Sequence, residues 1–186
     1  MEWLPTAPVS DNIRDRWELP LLTGCRSGEI VAMEWSDLDP KTGAWTLSKT
    51  KTDVPRIVRL SAQANEVIQR VEPDDKYRFH QRREKIQQKV FSVAMNHYKD
   101  QLPFSGWTTH DLRRTCRTML SRLGCPDVVG ESILGHSRSG IQGVYDLHRY
   151  ENDCKEWLQR WADWLDELKK EPVEPGIDVQ LIAQSN

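Results

Sequence analysis

Long apolar runs, paired cysteines and a strong net charge are all missing from this 186-residue sequence, and each absence narrows what the chain can be. No stretch of eighteen apolar residues occurs, so no segment reads as a membrane-spanning helix. The amino end, Met1-Glu2-Trp3-Leu4-Pro5, lacks the basic-then-apolar order of a secretory signal; a cytoplasmic protein without a membrane partner is expected. Cys25, Cys116, Cys125 and Cys154 are scattered with no Cys-x-x-Cys pair. That spacing argues against a structural zinc site or a disulfide framework and for reduced, mostly buried thiols. Internal repeats and low-complexity tracts are absent as well.

What is present is an ordinary globular composition, 38% hydrophobic and 29% charged, enough for one substantial core. Residues 1–10, with Pro5 and Pro8, read as a linker, 11–170 as one folded domain, and 171–186 as a flexible or partner-docking tail. The net charge of -2 hides an asymmetry. Between Lys76 and Arg122 eleven basic residues face three acidic ones, whereas from Glu151 onward nine acids face four bases. Such a distribution suits a positive surface that follows a phosphate backbone, although solvated helix faces account for most charge runs.

Periodicity predicts a mainly α fold with a small antiparallel β-sheet. Ile13, Trp17, Leu21 and Leu22 mark a helix over 12–23, in which Pro20 should introduce a kink or a restart. Thr23-Gly24-Cys25-Arg26 breaks it, and Ser27 is placed to cap the next helix, so Arg26 falls at a helix junction. Trp45 and Leu47, then Ile57-Val58 with Leu60, read as strands around a turn-rich stretch from Lys49 to Pro55. Ser61 caps a helix to about Val71. A long basic helix is expected over about 81–99, with Ile86, Val90, Val93 and Ala94 on one face. Thr109 is a plausible cap for a helix over 110–123, and Pro126 opens another over 127–134. Gly135, Gly140 and Gly143 punctuate the segment before an amphipathic helix carrying Trp157, Leu158, Trp161, Trp164, Leu165 and Leu168.

Three segments carry chemistry: Leu21-Leu22-Thr23-Gly24-Cys25-Arg26-Ser27-Gly28-Glu29-Ile30, Thr109-His110-Asp111-Leu112-Arg113-Arg114-Thr115, and Leu134-Gly135-His136-Ser137 followed by Gly143-Val144-Tyr145. Metal-free phosphodiester cleavage needs a nucleophile, cations for the non-bridging oxygens of a five-coordinate phosphorus, and an acid for the departing 5′ oxygen. Arginine forks, histidines, a lysine and a tyrosine able to form a covalent intermediate satisfy those needs together. In this combination and order, with nine residues from His136 to Tyr145, the chain resembles the tyrosine recombinases, the phage integrases and their relatives, over roughly 12–170.

The resemblance implies the fold of that family's catalytic domains and carries roles onto particular residues. Arg26 and Arg113 would grip the scissile phosphate, with Glu29 supporting and orienting the site. His110 would contact the phosphate and assist proton transfer at the tyrosine, and His136 would donate a hydrogen bond to the phosphate. Tyr145 would be the nucleophile. The family's lysine sits in a β-hairpin turn, where this chain offers both Lys49 and Lys51; Lys51 matches the family's Lys-Thr-Gly turn, with Asp53 standing where glycine is common. Neither metal nor other cofactor is implied. The implied partners are double-stranded DNA at attachment sites in a bacterial host and further recombinase subunits in a tetramer on DNA, the isolated domain being monomeric. Two rivals remain: a catalytically silent DNA-binding regulator, and a type IB topoisomerase, against which the Gly-Val-Tyr segment speaks.

Bland readings weigh on the remaining residues. Tyr77, Tyr98 and Tyr150 read as partly buried aromatics, and the Trp157, Trp161 and Trp164 stripe as core. His148 shares no metal-ligand spacing with His110 and His136. Arg82, Arg83, Arg114 and Arg117 are equally suited to DNA-backbone contact and to solvation.

Overall fold

Helix α1, Asp11–Thr23, runs through the core, with every side chain from Asp15 to Thr23 buried. The structure, a computed structural model, describes residues 9–48, 55–70, 76–81, 84–85, 87–101, 106–136 and 150–170. Within these, α1 packs on the neighbouring short α2 (Ser27–Val31), on α3 (Ala62–Gln69), α4 (Lys89–Tyr98) and α5 (Thr109–Arg122), and on α7 (Glu151–Lys170), whereas α6 (Asp127–Leu134) bridges α5 and α7. A helix enclosed on so many sides must neutralise its polar groups internally. Arg78 Nη2 donates to Asp15 Oδ2 at 2.6 Å, and Arg70 Nη1 donates to Asp15 Oδ1 at 2.8 Å and Glu18 Oε2 at 2.9 Å. One helix continues through Pro20 rather than restarting there. A proline costs a single intrahelical hydrogen bond and some crowding, which the burial of Leu19, Leu21 and Leu22 outweighs.

The three-stranded antiparallel sheet has the order β1 (Leu38–Asp39), β2 (Ala44–Leu47), β3 (Arg56–Arg59), with Trp45 opposite Val58 and Leu47 opposite Arg56. Trp45 and Leu47 point into the core from β2; Arg56 and Val58 do so from β3. The last helix closes the fold: Trp161 Nε1 donates to the Leu21 carbonyl at 2.8 Å, and Arg59 Nη2 donates to Glu151 Oε2 at 2.6 Å.

The mainly α architecture with its small sheet agrees with expectation, as do four buried free cysteines and half-buried Tyr77, Tyr98 and Tyr150. Trp161 is buried and Trp157 and Trp164 pack beside the core, so that stripe is packing. The long basic helix is the main departure. Its first part is a short antiparallel pair, β4 (His80–Gln81) with β5 (Glu84–Lys85), and helix begins only at Lys89. Between His80 and Lys89 the sole apolar residue is Ile86, so this stretch has no helical face to bury. Val93 is exposed, the inward face being Val90 and Ala94 with Met95. Two helix starts shift by one residue. Thr108 precedes α5 as its cap, its amide donating to Asp111 Oδ2 at 2.7 Å. Arg26 precedes α2, and the Ser27 hydroxyl accepts from Gln88 Nε2 at 2.9 Å instead of capping.

Candidate active site

The first of the three motifs is shaped by Gly24. It closes α1 in the left-handed region, at φ 66°, and donates its amide to the Pro20 carbonyl at 2.9 Å. An added Cβ there would stand 3.0 Å from Leu134 Cδ2, so glycine also lets the end of α6 approach. The turn delivers Arg26 to the start of α2, where Glu29 reaches back. Its Oε2 accepts from the Arg26 amide at 2.7 Å, and its Oε1 from Arg26 Nη1 at 3.1 Å.

Arg113 is buried on α5 and stitches the other two motifs together. Its Nη1 donates to the Gly24 carbonyl at 2.6 Å and its Nη2 to the Leu134 carbonyl at 2.7 Å, while Nη2 also lies 3.0 Å from His136 Nε2. Burial, and then the charge of Arg26, push the Arg113 guanidinium down to about 10, still protonated at neutral pH. His136 follows Gly135, the left-handed C-cap of α6 at φ 65°. Its amide donates to the Glu131 carbonyl at 3.0 Å, and its Nδ1 sits 2.6 Å from Glu131 Oε2. Arg117 in turn donates from Nε to Glu131 Oε1 and from Nη2 to Asp127 Oδ1, each at 2.9 Å.

Sequence reasoning missed Arg56. From β3 it donates Nη1 to the Ile133 carbonyl at 2.5 Å and Nη2 to Glu29 Oε2 at 3.2 Å, with Cys25 Sγ 3.4 Å away. Its side chain passes so close to Gly135 that a Cβ there would stand 2.7 Å from its Cδ and Nε. Burial alone would raise the Glu29 carboxyl, but the Arg56 charge and the Arg26 amide and charge hold it below the usual carboxylate range. Two guanidinium groups, Arg26 and Arg56, thus share one buried carboxylate, and the charge of Arg113 is also felt there, a cation excess suited to an anion. The signal for Arg56 was available: it alternates with Val58 and Leu60, which assigns all three to the inner face of one strand. Glu131 had no comparable signal, because its partners come from across a helix end and from a different helix.

The structure therefore brings together Arg26, Glu29, Arg113 and His136. His110 lies exposed in the first turn of α5, one turn before Arg113. Lys49, Lys51, Arg82, Arg83, Tyr145 and His148 lie outside the described residues. Arg114 is exposed and paired with Asp111 at 3.1 Å, and Arg117 is committed to Glu131 and Asp127. The positive stretch is thus partly interior, since Arg78 and Arg113 are buried too. Among the described residues no group of three or more His, Cys, Asp or Glu could hold a metal ion, and no helix is long and apolar enough to cross a membrane.

Comparison with known proteins decides the family, because the phage integrase family model matches residues 3–152. The chain belongs to the phage integrase family. Among curated integrases it is 26% identical over 153 residues to the integrase of Shigella phage Sf6, covering 78% of this chain and 40% of that protein. Against prophage integrase IntZ of Escherichia coli (strain K12) it is 28% identical over 193 residues, covering 93% of this chain and 48% of the relative. The chain thus spans less than half the length of these relatives. Among solved structures, the integrase from mycobacterium phage Brujita superposes with a TM-score of 0.72 at 16% identity, over 97% of this chain and 59% of the other. A lambda integrase dimer bound to a COC′ core site gives 0.60 at 23% identity, over 82% and 56%. At those identities the likeness establishes the fold, that of the integrase catalytic domains.

Proposed function

We propose that this chain is the catalytic domain of a site-specific DNA recombinase that integrates or excises phage or mobile-element DNA through a 3′-phosphotyrosyl intermediate at Tyr145. The observation that carries this reading is the convergence of Arg113, Arg26 and His136 around a buried excess of guanidinium charge, in a chain whose family acts as integrases. Arg26 and Arg113 hold the two non-bridging oxygens of the scissile phosphate, and Glu29 fixes the Arg26 fork. The Tyr145 oxygen attacks phosphorus, its proton passing towards His110. The bond to the 5′ oxygen breaks, and Lys51, with Lys49 as the alternative, protonates the departing hydroxyl. Attack by that hydroxyl, or by one from a partner duplex, reverses the step with no net loss of phosphoester bonds, so no cofactor is consumed. The substrate is duplex DNA bearing an attachment site in a bacterial cell, and the working assembly is a tetramer on DNA. Lambda integrase has been solved as a dimer on a core site and as a tetramer on a Holliday junction, which supports that assembly by analogy of fold.

A nicked duplex carrying the attachment site traps the intermediate, because the short 5′ fragment diffuses away. A denaturant-resistant protein–DNA adduct is expected, and it is lost in Tyr145→Phe. Absence of the adduct, with DNA binding retained, would indicate a silent regulator; relaxation of supercoils without strand exchange would indicate a topoisomerase.

A further inference from the structure

The two contacts of His136 bear on which ring nitrogen carries the proton. Arg113 Nη2 can only donate, so His136 Nε2, 3.0 Å away, accepts and carries no proton. Glu131 Oε2 sits 2.6 Å from Nδ1, and the carboxylate is held below its usual range: burial would raise it, but Arg117 and His136 outweigh that. Nδ1 therefore holds the proton and donates. These contacts select the Nδ1–H tautomer, with the Nε2 lone pair aimed at the arginine that is to meet the phosphate. An imidazole in this state cannot donate to a phosphate oxygen from Nε2; it repels one.

From this geometry we infer that Glu131 is a positioning residue that holds His136 as the Nδ1–H tautomer in the free protein and becomes its counter-ion when Nε2 takes up a proton as the phosphate enters. The inference rests on the proposed function only for the identity of the anion. On arrival of the phosphate, Arg113 Nη2 exchanges the imidazole for a phosphate oxygen, and Nε2, protonated from solvent, becomes the donor. The imidazolium then lies between two anions, Glu131 and the phosphate. Arg117 keeps the Glu131 carboxylate facing the ring by occupying its other oxygen at 2.9 Å. Among the described residues, the charged groups around the ring are Glu131 from α6, Arg113 from α5, Arg117 behind Glu131, and Arg56 from β3 against Gly135.

Two measurements on the full chain test this. In the free protein with ¹⁵N-labelled histidine, long-range proton–nitrogen correlation should show His136 with a protonated Nδ1 and an unprotonated Nε2, and Glu131→Gln should weaken that preference. An Nε2–H tautomer in the wild type overturns the inference whether or not the protein cleaves DNA. Adduct formation on the nicked duplex is then followed against pH. Glu131→Ala should slow it roughly tenfold or more, by analogy with the loss seen when the carboxylate that orients a metal-bound histidine is removed. Glu131→Gln should recover part of the rate at low pH, with the alkaline fall-off beginning at lower pH than in wild type, since an amide orients the ring without stabilising its cation. Arg117→Met, which leaves both His136 partners in place, should show a smaller loss in the same sense and guards against misfolding of the alanine variant. Wild-type rates and an unmoved pH profile in all three variants overturn the inference, while a wild type that forms no adduct overturns the recombinase reading and leaves the tautomer measurement to decide this one.

Discussion

Arg113 and Gly24 are joined across 89 residues by a 2.6 Å hydrogen bond from the guanidinium to the backbone carbonyl. The bond ties the left-handed turn after α1 to α5, and because the same fork also holds the Leu134 carbonyl, one side chain sets the spacing of all three motifs. A residue with both duties should fail in two separable ways when replaced.

Arg113→Lys removes the fork but keeps a positive charge. Adduct formation on the nicked duplex should fall by about 100-fold or more, as for loss of one preorganised transition-state donor. Urea unfolding should also show a loss of about 1–3 kcal/mol, because the Gly24 and Leu134 carbonyls lose a shared, buried partner. Unchanged stability would mean that water replaces the fork at these carbonyls.

Gly135 and Gly124 form a matched pair for separating backbone strain from crowding. Both have positive φ, 65° and 90°, but a Cβ at Gly124 meets nothing within 4 Å, whereas at Gly135 it stands 2.7 Å from Arg56. Gly124→Ala should cost about 1–2 kcal/mol from conformation alone. Gly135→Ala should cost more and also impair adduct formation by displacing Arg56 from Glu29. Equal thermal-unfolding shifts for the two variants would refute the close approach.

Asp15 and Arg78 are paired at 2.6 Å with both side chains essentially inaccessible to water. Asp15→Ala leaves a buried guanidinium without its carboxylate and should destabilise by about 3–5 kcal/mol. The pair is far from the site in bonding terms, so adduct formation per folded molecule should be unchanged at a temperature where the variant remains folded. A variant that is fully stable yet inactive would contradict the structural role.

Glu29 has its carboxyl held below the usual range in the folded state, through Arg56 and the Arg26 amide in excess of the burial penalty. A lowered folded value gives stability that is fully present above the unfolded carboxylate range, about 4.3, and lost as pH falls through the folded value. Urea unfolding should therefore be nearly insensitive to pH just above 5 with respect to this group and decline below 4. In Glu29→Gln the acid decline should be shallower, from a lower plateau. An identical acid slope in the two proteins would show that other carboxylates, such as Asp111 and Glu131, dominate.

Local chemistry was legible in the sequence where one segment decides its own structure. Hydrophobic spacing of 3.6 placed α1 and α7, a threonine cap placed α5 to within one residue, the alternation of Trp45 and Leu47 placed β2, and glycine after an apolar turn marked both ends at Gly24 and Gly135. The order of the Arg26, His110–Arg113 and His136 motifs was enough to select the family, because chain order survives whatever the packing. It failed over 81–88, where the residues are nearly all polar and only pairing across a turn could tell strand from helix.

The tertiary structure alone decided which charges work as a unit. Arg56 and Glu29 are 27 residues apart, and Arg117 and Glu131 lie on different helices, so no periodicity links them. Their pairing follows from burial: a guanidinium or carboxylate removed from water must find its counter-charge among whatever the fold brings near. Composition could count the basic residues of the central stretch, but only packing showed that Arg78 lies in the core and Arg113 in the site, and that His136 Nε2 stands 3.0 Å from the Arg113 guanidinium.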